Sequence, residues 1–230
     1  HENIIRIDVD NSKQPNSRWY SGSGIYRDVN LWTGKDVYIS HDKLRITTLS
    51  VNDDMAVIEV CAQLKNIIGH GLEAECLIEI KKDGQKTASD TQRVVFRSEQ
   101  MQTVRVQIPI EHPKKWSPKQ PALYECHITT KFDDKICDEA VSNFGIRVLA
   151  LDPVHGLQIN GETVKLRGTC IHHDNGVIGA ETFKEAEWYR CKRLKEAGFN
   201  AIRSAHHPMS RAMLDACDHI GMLVMDRRDR

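Results

Sequence analysis

The chain is expected to be mostly β, with an α/β part at its C-terminal end. Two patterns predict this. Between about residues 41 and 150, apolar residues recur at every second position in run after run. Period two with one polar phase is the mark of half-buried antiparallel strands. From about residue 151 onward, strand-like runs alternate with helix-length stretches. That order requires a parallel sheet with right-handed crossovers.

Residues 1–40 hold one strand-like run, "IIRIDVD", a loop rich in Ser, Gly and Asn, and then "IYRDVNLW". This is too little to bury a core alone, and it reads as the tail of a domain whose beginning lies elsewhere.

Residues 41–150 carry the alternation. In "MAVIEVCAQLK" the apolar phase is Ala56, Ile58, Val60, Ala62 and Leu64. Ala74, Cys76, Ile78 and Ile80 continue the pattern, as do Val104, Val106, Ile108 and Ile110, and then Tyr124, Cys126 and Ile128. Turn signals at Lys82-Asp83-Gly84 and Asp133-Asp134 separate the runs. About seven strands over roughly a hundred residues predict an immunoglobulin-like sandwich. The Cys…Trp…Cys spacing of antibody domains is absent, so the pattern supports the architecture only.

Residues 151–230 start with a hairpin expected around Asn160-Gly161. A strand, "VKLRGTCIHH", comes next. "TFKEAEWYRCKRLKEAG" reads as a helix, with Thr182 and Glu185 as a capping box and Gly198 at C′. Its expected inner face is Phe183, Ala186, Arg190, Leu194 and Ala197, with Arg190 as the exception. "NAIRSAHH" is the second strand. "SRAMLDACDHIG" is a helix with Ser210 as N-cap and Gly221 at C′, and "MLVMD" is the third strand. A third strand left as an open edge is an aggregation hazard. This part is therefore expected to be held against the sandwich, dimerised or partly disordered.

The composition is ordinary for a globular protein, with 28% charged and 40% hydrophobic residues. The 32 basic and 32 acidic residues balance, so no nucleic-acid footprint is expected. No apolar run of about 18 residues predicts a membrane span. "HENIIRIDVD" lacks the apolar stretch of a signal peptide, so any export signal is expected upstream. The seven cysteines are odd in number and form no CxxC, which argues against a zinc ribbon or redox motif. They read as buried thiols acting as small hydrophobes.

Two His-His pairs stand out, His172-His173 and His206-His207. Their first members lie 34 residues apart, about one βα repeat. Each pair follows a strand. Ligand sites in parallel α/β sheets lie beyond the carboxyl ends of the strands, and neighbouring strands are about 4.8 Å apart. The pairs should therefore sit side by side on the functional face. Two chemistries compete there. With Asp174 the histidines could hold a divalent metal. With Arg203 they could hydrogen-bond the hydroxyls and carboxylates of a sugar site. The His-His-Asp order matches no metal-ligating spacing with a stated mechanism.

At these residues the chain resembles glycoside hydrolase family 2, the family of β-galactosidases, β-glucuronidases and β-mannosidases. Asn200, Arg203, Ser204, His206, Pro208, Asp218, Gly221 and the apolar "MLVM" follow one of its signatures in order, with His207 where the family more often shows Tyr. "WYSGSGIYRDVNLW" is similar to the last strands of the family's jelly-roll domain. "KKWSPKQPALYECHI" and "FGIRVL" resemble the end of its immunoglobulin-like domain. "INGETVKLRGTCIHHDNGVIGA" resembles the entry to its (β/α)₈, or TIM, barrel. His-His-Asp after the first strand looks more like the β-galactosidase branch than the glucuronidase branch.

The resemblance implies retaining hydrolysis of a terminal β-glycoside by two glutamates with carboxyls about 5–5.5 Å apart. Those glutamates come from later barrel strands, and the acid/base glutamate normally follows an asparagine. This sequence has no Asn-Glu dipeptide, so both are expected outside it. By the same resemblance, His172 and His206 line the sugar subsite, and Arg203 pairs with the nucleophile. Asp174 and His173 support their neighbours, and Asp28 in "YRDV" reaches the site from the jelly roll. After "LVMD" the chain departs from the family with Arg227-Arg228, which suggests a truncated chain, a damaged reading frame or a tail of cloning origin. No cofactor is required, while a divalent or monovalent cation in the full-length enzyme and a homo-oligomer stay open. The implied partner is a β-glycoside in a bacterial periplasm or cytoplasm. The competing readings are a non-catalytic carbohydrate-binding or structural sandwich and a metal-dependent hydrolase.

Overall fold

A computed structural model describes residues 4–13, 23–98 and 100–226. The terminal Arg227 and Arg228, and the first residues of "WYSGSGIYRDVNLW", lie outside the described residues.

Eight strands build the sandwich: β1 (Val37–Ile39), β2 (Arg45–Val51), β3 (Met55–Asn66), β4 (Leu72–Lys82), β5 (Gln85–Phe96), β6 (Met101–Glu111), β7 (Tyr124–Phe132) and β8 (Lys135–Phe144). In one sheet β3 is central, with β6 along one side and β1 and β2 along the other. The other sheet runs β5-β4-β7-β8. The alternating phase read from the sequence is the buried phase. Ala56, Ile58, Val60, Ala62 and Leu64 have no exposed surface, and they meet Cys76, Ile78, Ile80, Cys126 and Ile128 in one core.

Two-residue hairpins join β4 to β5 and β7 to β8. Asp83 and Gly84 both have positive φ, as do Asp133 and Asp134, the geometry that matches strand twist in such turns. Eight strands form where about seven were expected. The first, β1, begins ahead of residue 41 and pairs with the far end of β3.

The two strand-like runs of residues 1–40 do not form strands within the described residues. Ile4 and Ile5 of "IIRIDVD" are more than four-fifths exposed, and so is Leu31 of "IYRDVNLW". A strand gains stability only from neighbours that take its backbone groups and cover one face, and among the described residues neither run pairs with another strand.

The α/β part opens with an antiparallel ribbon of β9 (Leu149–Asp152), β10 (Gly156–Ile159) and β11 (Glu162–Thr163). The expected turn at Asn160-Gly161 joins β10 to β11, both residues having positive φ. A parallel sheet follows: β12 (Gly168–Ile171), helix α1 (Lys184–Glu196), β13 (Ala201–Ser204), helix α2 (Arg211–Ile220) and β14 (Leu223–Met225). Ile171, Cys191, Ile202, Met213, Cys217 and Met222 form its own core.

Helix α2 is capped as expected. The Met213 amide donates to Ser210 Oγ at 3.1 Å, and Gly221 closes the helix at φ 81°. Helix α1 departs from expectation twice. Its N-cap is Phe183, without a side-chain cap bond, and the Thr182 hydroxyl donates instead to the Ala180 carbonyl at 3.5 Å. Thr182 lies one residue too early to serve as the cap. The inner face is also different: Glu187 and Cys191 are buried while Phe183 is exposed. Packing against α2, where Cys191 Sγ lies 3.8 Å from Cys217 Sγ, sets the helix rotation.

The α/β part is held against the sandwich by the loop after β6. Buried Trp116 donates Nε1–H to the Asp218 carbonyl in the last turn of α2 at 2.8 Å. Lys195 Nζ donates to the carbonyls of Pro118 at 2.6 Å and Gly221 at 2.8 Å. Asn160 Nδ2 donates to the Trp116 carbonyl at 3.0 Å. A Cβ on Gly221 would lie 2.6 Å from the Pro118 oxygen, so glycine is needed both for the left-handed turn and for this approach.

Candidate functional site

Parallel pairing of β12 with β13 sets Cys170 opposite Arg203 and Ile171 opposite Ser204. Ile171, Ile202 and Ser204 are buried on the helix side. Alternation along the strands turns Cys170 and Arg203 to the opposite face. There Arg203 Nη1 donates to Cys170 Sγ at 3.7 Å, and both side chains are exposed.

Just beyond these strand ends the four imidazoles pair across the two strands. The His172 and His206 rings meet edge to face, with centroids 5.7 Å apart. The His173 and His207 rings stack at 5.8 Å with an interplanar angle of 28°. The repeated His-His dipeptide is thereby explained. Each strand end contributes one ring to a first pair and one to a second.

The loop after β12 is fixed from α1. Arg190 Nη2 donates to the His172 carbonyl at 3.1 Å, and its Nη1 donates to Asn175 Oδ1 at 2.6 Å. Glu187 Oε2 lies 3.5 Å from the same guanidinium. The loop after β13 is fixed by the Ser204 hydroxyl, which donates to the His207 carbonyl. The Met209 amide donates to Asp226 Oδ1 at 3.0 Å.

His173 has a second partner from far along the chain. Arg27 Nη2 lies 3.2 Å from His173 Nε2 and also donates to the Pro208 carbonyl. Burial holds the His173 pKa below its ordinary 6.5, and Arg27, His207 and Arg190 push it the same way. The ring is therefore neutral near pH 7.

Of the residues singled out from the sequence, His172, His206 and Arg203 come to adjoining strand ends of one sheet. Asp174 follows His173 and is exposed, and Asp28 follows Arg27 and is exposed. Among the described residues no group of three or more His, Cys, Asp or Glu is placed to hold a metal ion. Sequence reasoning missed two residues of this neighbourhood. Arg190 had left a signal, as a charge on the face expected to be apolar. Arg27 had left none, because its contacts span 146 and 181 positions.

Two family models match the chain. "Glycosyl hydrolases family 2" matches residues 37–147, and "Glycosyl hydrolases family 2, TIM barrel domain" matches residues 154–230. A β-galactosidase of Bacteroides ovatus is 32% identical across 97% of this chain, which spans 26% of that protein. A crystal structure of a glycosyl hydrolase family 2 member from Bacteroides cellulosilyticus superposes with a TM-score of 0.85. It is 36% identical over 91% of this chain and 27% of its own. A Bacteroides uniformis β-glucuronidase superposes with a TM-score of 0.76 at 26% identity, over 82% of this chain and 24% of its own. The chain thus spans about a quarter of the length of the relatives it matches. The architecture is an immunoglobulin-like domain followed by the start of a TIM barrel.

Proposed function

Because this chain belongs to glycosyl hydrolase family 2, we propose that it is part of a retaining hydrolase of terminal β-glycosides and carries one side of the sugar pocket. The observation behind this reading is the edge-to-face pair of His172 and His206 at the carboxyl ends of adjacent parallel strands. Functional groups of such barrels gather at that end. Imidazole rings offer two nitrogens for hydrogen bonding, which suits sugar hydroxyls.

Arg203 stands on β13, the strand whose following loop carries His206, on the face away from the helices. There its guanidinium can hold a carboxylate ionised by lowering its pKa, the state a nucleophilic glutamate needs for covalent attack. The nucleophile and the acid/base come from elsewhere in the whole protein. Asp174 and Asp28 are assigned to the outer part of the pocket. Residues 1–40 are read as jelly-roll tail, 41–150 as sandwich and 151–230 as barrel start.

Similar proteins carry both β-galactosidase and β-glucuronidase names. We favour the galactoside, because a His-His-Asp run follows the first barrel strand. The test is hydrolysis of nitrophenyl β-galactoside, β-glucuronide and β-mannoside by the whole protein, beside the 230-residue chain alone. The reading expects turnover by the whole protein, fastest on the galactoside, and none by the chain. Turnover by the chain alone would place a catalytic pair inside it. Absence of turnover by the whole protein on all three would end the proposal.

A further inference from the structure

Arg27 belongs to the segment ahead of the sandwich, yet its guanidinium reaches two loops of the α/β part. One arm meets the ring of His173, in the loop after β12, at 3.2 Å. The same nitrogen donates to the Pro208 carbonyl, in the loop after β13. These two loops carry His172 and His206. Arg27 Cζ also lies 5.1 Å from the ring centroid of Tyr26, and the Tyr26 ring lies 6.0 Å from that of His173. We propose that Arg27 is a positioning residue for the sugar site: it ties the loop after β12 to the loop after β13 and thereby sets the separation of His172 and His206.

The chemistry of the contact defines its state. A guanidinium has only donors, so the His173 atom facing it must present a lone pair. His173 is therefore the neutral tautomer with its proton on Nδ1. The other groups facing this ring are the stacked imidazole of His207 and the Pro208 carbonyl from the β13 loop, Tyr26 from the Arg27 segment, and Arg190 from α1. None of them is a carboxylate; the Pro208 carbonyl favours a protonated His173, but burial and the Arg27, His207 and Arg190 charges outweigh it. The loop after β12 is thus held from two sides, by Arg190 on the His172 carbonyl and by Arg27 on the His173 ring.

This role rests on the sugar-pocket reading only for its purpose; the tie itself is testable without any sugar. The 230-residue chain is compared with Arg27→Met, which keeps the length and removes the charge, and Arg27→Lys, which keeps the charge without the planar fork. Nitrogen NMR of the imidazoles reads the tautomer and titration of His173. Amide exchange reads residues 172–176 and 205–209.

The expected result for Arg27→Met is a His173 titration moved up toward 6.5 and exchange at least about tenfold faster in both loops, the weight of one charge-assisted hydrogen bond. Arg27→Lys should keep the low titration and still loosen one loop. Arg27 lies outside both cores, so these variants should fold. Unchanged titration together with unchanged exchange overturns the proposal. So does a shifted titration with unchanged exchange, because Arg27 would then be a nearby charge and not a tie. If the tie is confirmed but variants of His172 and His206 leave glycoside turnover intact, the pocket reading fails while the tie stands.

Discussion

Replacing Trp116 with Phe should weaken the union of the sandwich and the barrel start. The indole Nε1–H is the partner of the Asp218 carbonyl, one of the last four carbonyls of α2 that the helix itself cannot satisfy. Trp116 is 1% exposed, so water reaches the site poorly. Phenylalanine keeps most of the ring but removes the donor. A buried acceptor left without a partner costs about 1–3 kcal/mol. Arg147 Cζ lies 4.3 Å from the indole centroid, and trading indole for phenyl weakens that contact by a fraction of the roughly 0.5–2 kcal/mol typical of such pairs. The sum is a loss of about 1–4 kcal/mol. Urea unfolding followed by fluorescence and circular dichroism measures it, with amide exchange in the last turn of α2 as a local probe. A loss under about 0.5 kcal/mol with unchanged exchange in that turn would refute the assignment of the Trp116 indole as the partner of the Asp218 carbonyl.

Other outcomes follow from the same geometry. Gly221→Ala places a Cβ 2.6 Å from the Pro118 oxygen at φ 81°, so it should cost more than the ~1 kcal/mol of a left-handed alanine, read as a lower urea midpoint. Maleimide at pH 8 should label exposed Cys170 long before Cys76 or Cys126, whose thiols burial pushes up to about 12; equal labelling in the native chain would contradict the packing. His173 has a folded-state pKa below its ordinary 6.5, so its contribution to stability is present above pH 6.5 and is lost as pH falls through the folded value. His173→Gln should flatten this part of the profile between pH 7.5 and about 5, measured as the difference in urea midpoint from the parent chain.

The sandwich was legible wherever a strand has one wet and one dry face. The pattern of β3 names its buried residues one by one. Strand β5 was not legible, because as an edge strand it buries only Val94 and Phe96. Edge strand β8 likewise leaves Ile136 and Val141 exposed, so its apolar residues do not mark one face. In the α/β part, local chemistry announced the Asn160-Gly161 turn and the Ser210 cap. The rotation of α1 did not follow from its own sequence, because contact with α2 decides it. The same division holds at the site. Strand ends and the 34-residue spacing placed His172 and His206 side by side, whereas the arginines that hold their loops come from a helix face and a distant segment.

The central claim is that His172 and His206 together contact the sugar. The most direct measurement is kcat/KM for nitrophenyl β-galactoside with the whole protein and its His172→Ala and His206→Ala variants. Each change should lower kcat/KM by about 10- to 100-fold, the loss of one or two hydrogen bonds to the substrate, with the unfolding midpoint nearly unchanged. Variants that turn over the galactoside as fast as the parent would contradict the account.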